Sequence, residues 1–278
     1  MRRASLVTGA GCVGVVVLLA LVSLVWLPFD PIRVNAADRL LPPLTRGHLL
    51  GTDGFGLDLL SRIMVGARTC LLVGVIAVGI AALVGVPLGI LAGMVRGWGA
   101  QLILRASDVL YAFPALLLAI LLAAAQGASV LTAMTAIGVA SIPAFVRVTR
   151  AATLPVMASD FVLAARAAGT GRFGTAVRHV LPNVAPVIGV QASVSFGIAI
   201  LAEAALSYLG LSAPPTAPTW GRMLRDAQVY LFSDPLLALW PGLAIAIAVL
   251  GFNLLGDGLR DALDPRLRDG LRTEVTAR

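Results

Sequence analysis

The chain of 278 residues is 59% hydrophobic and only 13% charged, against about 25% in soluble domains, which excludes an ordinary water-soluble domain. All 21 basic residues are arginine, so the lysine that a GxxxxGK(S/T) phosphate-binding loop needs is missing and an ordinary nucleotide-hydrolysing P-loop is excluded. The net charge of +7 does not indicate nucleic-acid binding, because the arginines lie in the connections between apolar segments.

The first apolar segment, 6–27, follows Arg2 and Arg3, which resemble the start of a signal peptide. Its apolar run is longer than the roughly 7–15 residues of a signal peptide, and no cleavage site of small residues precedes Pro28. We therefore predict a retained anchor helix.

The later apolar segments predict five more membrane spans, since a hydrocarbon core about 30 Å thick needs about 20 helical residues. The stretch 109–146 is too long for one span, and Gln126-Gly127 is predicted to be the turn that divides it into two. The stretch 204–221 is excluded because three prolines interrupt it. The other predicted spans are 69–95, 183–202 and 235–256.

The arginine distribution predicts which side of the membrane each connection faces. Six spans place both termini on one side, and a cytoplasmic N-terminus puts 14 arginines inside and 7 outside. The positive-inside rule therefore favours a multi-pass protein of the inner (plasma) membrane with cytoplasmic N- and C-termini. The first outer connection, 30–68, fits this predicted orientation least well because it holds five of the seven outer arginines.

Charged residues are absent from the centres of the predicted spans. Asp108, Glu203 and Asp257 all lie near span ends. Ion-driven carriers usually place such groups deep in the membrane, where each costs about 2.5–3.5 kcal/mol or more. The pattern disfavours a stand-alone secondary carrier, which stays an alternative, and indicates an external energy source.

The connection 151–182, predicted to be cytoplasmic, carries the most informative pattern. Phe161, Ala164, Ala165 and Ala168 are spaced to lie on one helix face that is small and flat. Gly169 fits the left-handed position that ends a helix, and a second short helix is predicted over 172–180 before Pro182 stops it. A flat face suits docking in a partner's groove, while an amphipathic interfacial loop is the alternative.

The same connection resembles a known motif. LAARAAG at 163–169, followed by HVLP at 179–182, is similar to the EAA loop with which permeases of ABC importers dock on their ATPase. Leu163 stands where the motif has Glu, so the ion pair of that Glu is not expected here. The resemblance implies a docking loop formed by Phe161, Ala164, Ala165, Arg166, Ala168, Gly169, Arg172, His179, Leu181 and Pro182.

Four further segments, at 48–68, 105–120, 203–224 and 252–268, resemble the dipeptide/oligopeptide (peptide/nickel) branch of these permeases in collinear order. The resemblance implies an all-α polytopic membrane protein with six transmembrane helices and the type I ABC importer architecture. It also implies three regions: an anchor helix with an outer loop at 1–68, the permease domain at 69–268, and a cytoplasmic tail at 269–278.

The function implied by the resemblance is import of di- or oligopeptides by alternating access. The expected partners are a homologous permease in a heterodimer, ABC ATPase subunits, an extracytoplasmic substrate-binding protein and the lipid bilayer. The chain itself is expected to be no enzyme and to bind no cofactor or nucleic acid, with ATP and Mg²⁺ used by the partner ATPase. Nickel chelates or glutathione are alternative substrates.

Several single residues admit two interpretations. Glu203, with Tyr208 and Trp220, is a candidate for the pathway or outer gate, although local capping by Glu203 is favoured and Trp220 fits an interfacial aromatic belt. His179 is expected to be structural, since the only other histidine, His48, is predicted across the membrane.

Two pairs outside the candidate loop are also predicted to be structural. Asp53 and Asp58 match no complete EF-hand pattern of a cation-binding loop, and an Asx-type turn is predicted for the Asp53-Gly54 pair. Cys12 and Cys70 are predicted to be small buried side chains.

Overall fold

A computed structural model of the chain describes residues 2–212, 214 and 217–263, so the predicted tail at 269–278 lies outside the described residues. The described residues form helices joined by loops, and no strand longer than an isolated bridge occurs among them. The all-α prediction is therefore confirmed. The helices are α1 Arg2–Val25, α2 Leu59–Met94, α3 Trp98–Ala112, α4 Ala115–Gln126, α5 Val130–Met157, α6 Asp160–Ala167, α7 Arg172–Thr175, α8 Leu181–Tyr208, α9 Trp220–Ala227 and α10 Leu236–Leu263.

Five of these helical segments are long and apolar enough to cross a membrane: Ala4–Val25, Leu59–Met94, Val130–Met157, Arg172–Tyr208 and Leu236–Ala262. Helices α3 and α4 meet the same test together, with a bend of 79° between them. Counting that bent pair as one span gives the six predicted spans.

Helix α2 begins ten residues before the predicted start of the second span at position 69. Asp58 caps its first turn by accepting from the Ser61 amide at 2.7 Å. The charges that follow are paired: Arg62 pairs with Asp53, and Arg68 Nε donates to Ser23 Oγ at 2.5 Å. The predicted start of the second span was wrong because a hydropathy scale counts each arginine as polar. It takes no account of the residue that pairs with the arginine in the folded chain.

The third span is a broken helix rather than the single helix predicted up to Gln126. The break lies at Phe113-Pro114, where Phe113 has an extended ψ of 123°. A residue that precedes proline disfavours helical dihedrals, and proline donates no backbone hydrogen bond, so α3 ends there. The predicted turn at Gln126-Gly127 is confirmed, with Gly127 at a φ of +88°.

Helices α2 and α5 pack closely through glycines on α2. A Cβ atom added at Gly85 would lie 2.6 Å from Phe145 Cβ, and one added at Gly89 would lie 2.7 Å from Thr149 Cβ and 2.8 Å from the Val146 carbonyl oxygen. Such small residues let two backbones approach, which is how membrane helices associate without a hydrophobic driving force.

The Gly89→Val variant is expected to lower the free energy of unfolding by about 1–3 kcal/mol, because the added methyl groups must displace the α5 backbone. Thermal unfolding of the purified protein in detergent measures the change. The matched control is Gly79→Val on the same helix, where no described atom lies within 4 Å of the new Cβ. Equal unfolding temperatures for the two variants would contradict close α2–α5 packing.

The anchor helix α1 packs along α10. A Cβ atom at Gly9 would lie 2.5 Å from the Leu255 amide nitrogen, and one at Gly251 would lie 2.8 Å from Cys12 Cβ. Cys12 is partly buried, Cys70 is buried on α2, and both are free thiols. Helix α1 therefore belongs to the same packed bundle as the later helices.

The connection between α1 and α2 is held by buried polar contacts. Asp53 Oδ1 accepts from the amides of Phe55 at 2.8 Å and Leu57 at 3.0 Å, which confirms the predicted Asx-type turn. His48 Nδ1 lies 2.9 Å from Asp58 Oδ1, and the His48 ring stacks on Phe29. Within the described ranges, no group of three or more His, Cys, Asp or Glu side chains is placed to hold a metal ion.

Candidate functional site

The candidate docking loop projects between the long helices α5 and α8. Because α5 continues to Met157, the projecting part is shorter than the predicted connection 151–182. Helix α6 follows, and the chain reverses at Gly169, whose φ of +90° confirms the predicted left-handed position. The amides of Gly169 and Thr170 donate to the carbonyls of Arg166 and Ala165, both at 3.0 Å, so orphan carbonyls at the helix end are satisfied.

Helix α6 is seated by one buried side chain and one ring contact. Val162 is fully buried, while its neighbours Phe161 and Leu163 are about half exposed. The Phe161 ring lies 6.3 Å, between centroids, from the half-buried ring of His179 near the start of α8. Asp160 in the first turn and Arg166 in the last turn both complement the helix dipole. The helix is thereby attached to α8 while most of its surface stays free.

The predicted docking face is largely accessible. Phe161, Ala164 and Ala168 are exposed, whereas Ala165 is half-buried toward the bundle. Leu163, which replaces the Glu of the EAA motif, is also exposed. Apolar side chains gathered on an exposed surface are typical of sites that contact a protein partner or a membrane.

The second half of the loop differs from the prediction. Pro182 does not stop a helix: α7 passes through a π-helical turn, Ala176–Val180, directly into α8, and Pro182 lies in the first turn of α8. The Leu181 amide donates to the Ala176 carbonyl, five residues back. Proline has no N–H to donate, so the continuous segment lacks one backbone hydrogen bond there, and the irregular π-helical turn lies directly before it. The loop and α8 therefore form one continuous segment.

The basic residues of the loop, Arg166, Arg172 and Arg178, are exposed, and none forms an ion pair with another described residue. Sequence reasoning missed Phe173, which is 82% exposed, and Val177 one turn later. Their i, i+4 spacing was the available signal. With Leu181 they line a groove beside α2 that is distinct from the exposed face of α6.

The three candidate residues for an outer gate have separate partners. Glu203 is buried, and its hydrogen-bond partner in the described part of the chain is Ser212 Oγ at 3.5 Å, rather than the backbone groups expected from capping. The exposed Tyr208 hydroxyl donates to Gln228 Oε1 at 3.1 Å. Trp220 is buried and donates from Nε1 to the Ile63 carbonyl at 3.0 Å. The interfacial-belt interpretation is therefore wrong for Trp220, which joins α9 to α2.

Comparison with known proteins decides the family. Residues 85–269 match the model of the binding-protein-dependent transport system inner membrane component, which covers more than half of the chain and includes the whole candidate docking loop. The chain belongs to this family. The resemblance inferred from the EAA-type loop is therefore confirmed at the level of the family. The assignment of the chain as an integral membrane component of a transport system is confirmed as well.

Relatives within the family match along nearly the whole chain. The glutathione transport system permease protein GsiD of Pectobacterium atrosepticum is 40% identical over 92% of this chain and 86% of the relative. The dipeptide transport system permease protein DppC of Alkalihalophilus pseudofirmus is 44% identical over 85% of this chain and 77% of the relative. The di/tripeptide transport system permease protein DppC of Pseudomonas aeruginosa is 45% identical over 87% of this chain and 82% of the relative.

Proposed function

We propose that this permease is one transmembrane subunit of an ATP-driven ABC importer for di- or oligopeptides. The observation that carries the proposal is the exposed apolar face of α6, on a loop tied to a long apolar helix in a chain of this family. Two relatives are named for dipeptides or di/tripeptides. Glutathione, named for a third, is itself a small peptide.

The energy source in this proposal is a separate ATPase that docks on α6 and uses ATP and Mg²⁺. The absence of lysine from the chain supports this division of labour, since a P-loop needs one. The excess of arginines in the predicted cytoplasmic connections supports a cytoplasmic position for α6 and for both chain termini. A homologous permease completes the pathway, and an extracytoplasmic binding protein delivers the peptide from the other side.

The coupling in this proposal is mechanical. ATP binding closes the ATPase subunits and displaces α6, which is seated by Val162 and by the contact of Phe161 with His179. Because the π-helical turn joins the loop to α8 without a break, the displacement is transmitted along α8 to its outer end. There α9 packs on Ala204, where a Cβ at Gly221 would meet the Ala204 backbone. Such rigid-body motion between packed elements alternates access.

The proposal is tested by transport in proteoliposomes. The complex purified through this chain is reconstituted with its binding protein, and uptake of a labelled dipeptide is measured with and without ATP. We expect ATP-dependent uptake that an unlabelled dipeptide suppresses. Uptake that persists unchanged without ATP would overturn the proposal in favour of a stand-alone carrier.

Glutathione import is the second candidate, and the relative named for glutathione transport favours it. The same vesicles distinguish the two substrates by competition. Suppression of dipeptide uptake by a tenfold excess of unlabelled dipeptide, but not by about the same excess of glutathione, supports the peptide assignment. Labelled glutathione uptake that exceeds dipeptide uptake would replace it.

A further inference from the structure

A cavity of about 860 Å³ lies where the ends of α2 and α5 meet the start of α3 and the loop helices α6 and α7. Its charged lining consists of four arginines, Arg96, Arg150, Arg166 and Arg172, and no acidic residue lines it among the described residues. A cavity with a lining of one charge sign concentrates ions of the opposite sign. The ligand it favours is therefore an anion.

The four guanidinium groups have no partner within the described ranges, in ion pairs or in side-chain hydrogen bonds. Arg150 Nε in particular is buried without an acceptor. By contrast, Arg147 on the same helix pairs with Asp108 at 2.7 Å. A buried donor without an acceptor is costly, and an anionic ligand in the cavity would supply the missing acceptor.

An apolar groove of about 470 Å³ adjoins the cavity. The two share Met94, Val95 and Arg172 in their linings, so Arg172 stands between the basic cavity and the apolar groove. The rest of the groove is apolar, formed by Val86, Pro87, Ile90 and Leu91 on one side and by Phe173, Ala176, Val177 and Leu181 on the other. A ligand that fills both has an anionic head and a hydrocarbon tail.

A residue beside this site is of a type common at the surface of the bilayer. Trp98, the first residue of α3, follows the cavity residues Arg96 and Gly97 and is 84% exposed. Exposed tryptophan in a membrane protein is typical of the headgroup level. Basic pockets between transmembrane helices at this depth suit anionic lipid headgroups.

We propose that the cavity and groove together bind an anionic phospholipid, with the phosphate among the four arginines and one acyl chain against α2. The bound lipid holds the ends of α2 and α5 to the loop that carries α6. The inference goes beyond the proposed transport function and is independent of the transported substrate.

The test compares two double variants that remove the same charge. Arg96→Gln/Arg150→Gln changes the cavity but leaves α6 intact. Arg105→Gln/Arg260→Gln, the control, changes exposed arginines outside the cavity. The wild type and both variants, each purified with its accompanying subunits, are equilibrated with phosphatidylglycerol or phosphatidylcholine of the same acyl chains. Native mass spectrometry then measures the retained lipid, and thermal unfolding verifies that each variant is folded.

We expect the wild type to retain phosphatidylglycerol in preference to phosphatidylcholine. The cavity variant is expected to bind phosphatidylglycerol about 30-fold more weakly than the wild type, and the affinity of the control variant is expected to change only a few-fold. Equal retention of the two lipids by the wild type, or equal binding by the two variants, would overturn the proposal. Displacement of the lipid by millimolar inorganic phosphate would assign the cavity to a soluble anion. Retention by the isolated chain but not by the complex with an ATPase would assign it to that subunit.

Discussion

The Gly169→Val variant is expected to insert and fold but to lose ATP-driven uptake by about 10- to 30-fold. Gly169 has a φ of +90°, a conformation that costs a β-branched residue about 1–2 kcal/mol or more. No described atom lies within 4 Å of the new Cβ, so the effect comes from the backbone and not from a clash. Relief of this strain rotates α6 and withdraws the Val162 side chain from its buried position. Uptake in proteoliposomes and ATPase activity, measured together, check the expected uncoupling.

The control for this variant lies two residues away. Gly171 has a φ of −67°, which valine adopts readily, and its Cβ position is equally open. Gly171→Val is therefore expected to transport within about twofold of the wild type. If Gly169→Val transports as well as Gly171→Val, the left-handed turn has no part in coupling.

The Ala164→Trp variant is expected to reduce the amount of ATPase that co-purifies with the chain by at least about tenfold. Ala164 is exposed on α6, so the indole fits the isolated chain and obstructs only a partner that packs closely on this face. Ala165 is half-buried, and tryptophan there would also disturb the seat of α6. Quantitative mass spectrometry of the affinity-purified complex measures the ratio of ATPase to permease.

Ala106→Trp is the matched control, since Ala106 is an exposed alanine on α3 outside the predicted docking face. It is expected to retain the wild-type ratio of ATPase to permease. Undiminished assembly of Ala164→Trp would favour the alternative of an interfacial loop that lies on the membrane surface. Loss of assembly in both variants would mean that the docking surface extends beyond α6.

Much of the fold follows from hydropathy, because an apolar run of sufficient length in a bilayer has few conformations other than a helix. The errors lie where a helix boundary depends on specific partners. Helix α2 includes Arg62 because Asp53, nine residues earlier, pairs with it. The sharp bend at Phe113-Pro114 was overlooked although proline is a local signal, because the apolar run continues across it.

The candidate site was predictable where it depends on local geometry. Gly169 followed from the helix-ending pattern, and the exposure of Ala164 and Ala168 agrees with the predicted spacing. The continuity of the loop with α8 was not predicted, because Pro182 was interpreted as the end of a helix, whereas a π-helical turn carries the helical chain past it. The cavity could not be predicted from the sequence either, because its four arginines come from the α2–α3 connection, α5 and the two loop helices, which are separate in the chain.

The most direct measurement is affinity purification of this permease from its native membrane in mild detergent, with mass spectrometry of the proteins that accompany it. We predict recovery of ATPase chains, a second six-span permease and an extracytoplasmic binding protein, whose bound ligand is a small peptide. Recovery of the chain without any ATPase, in several detergents that keep it folded, would contradict ATP-driven coupling through α6 and favour a stand-alone carrier.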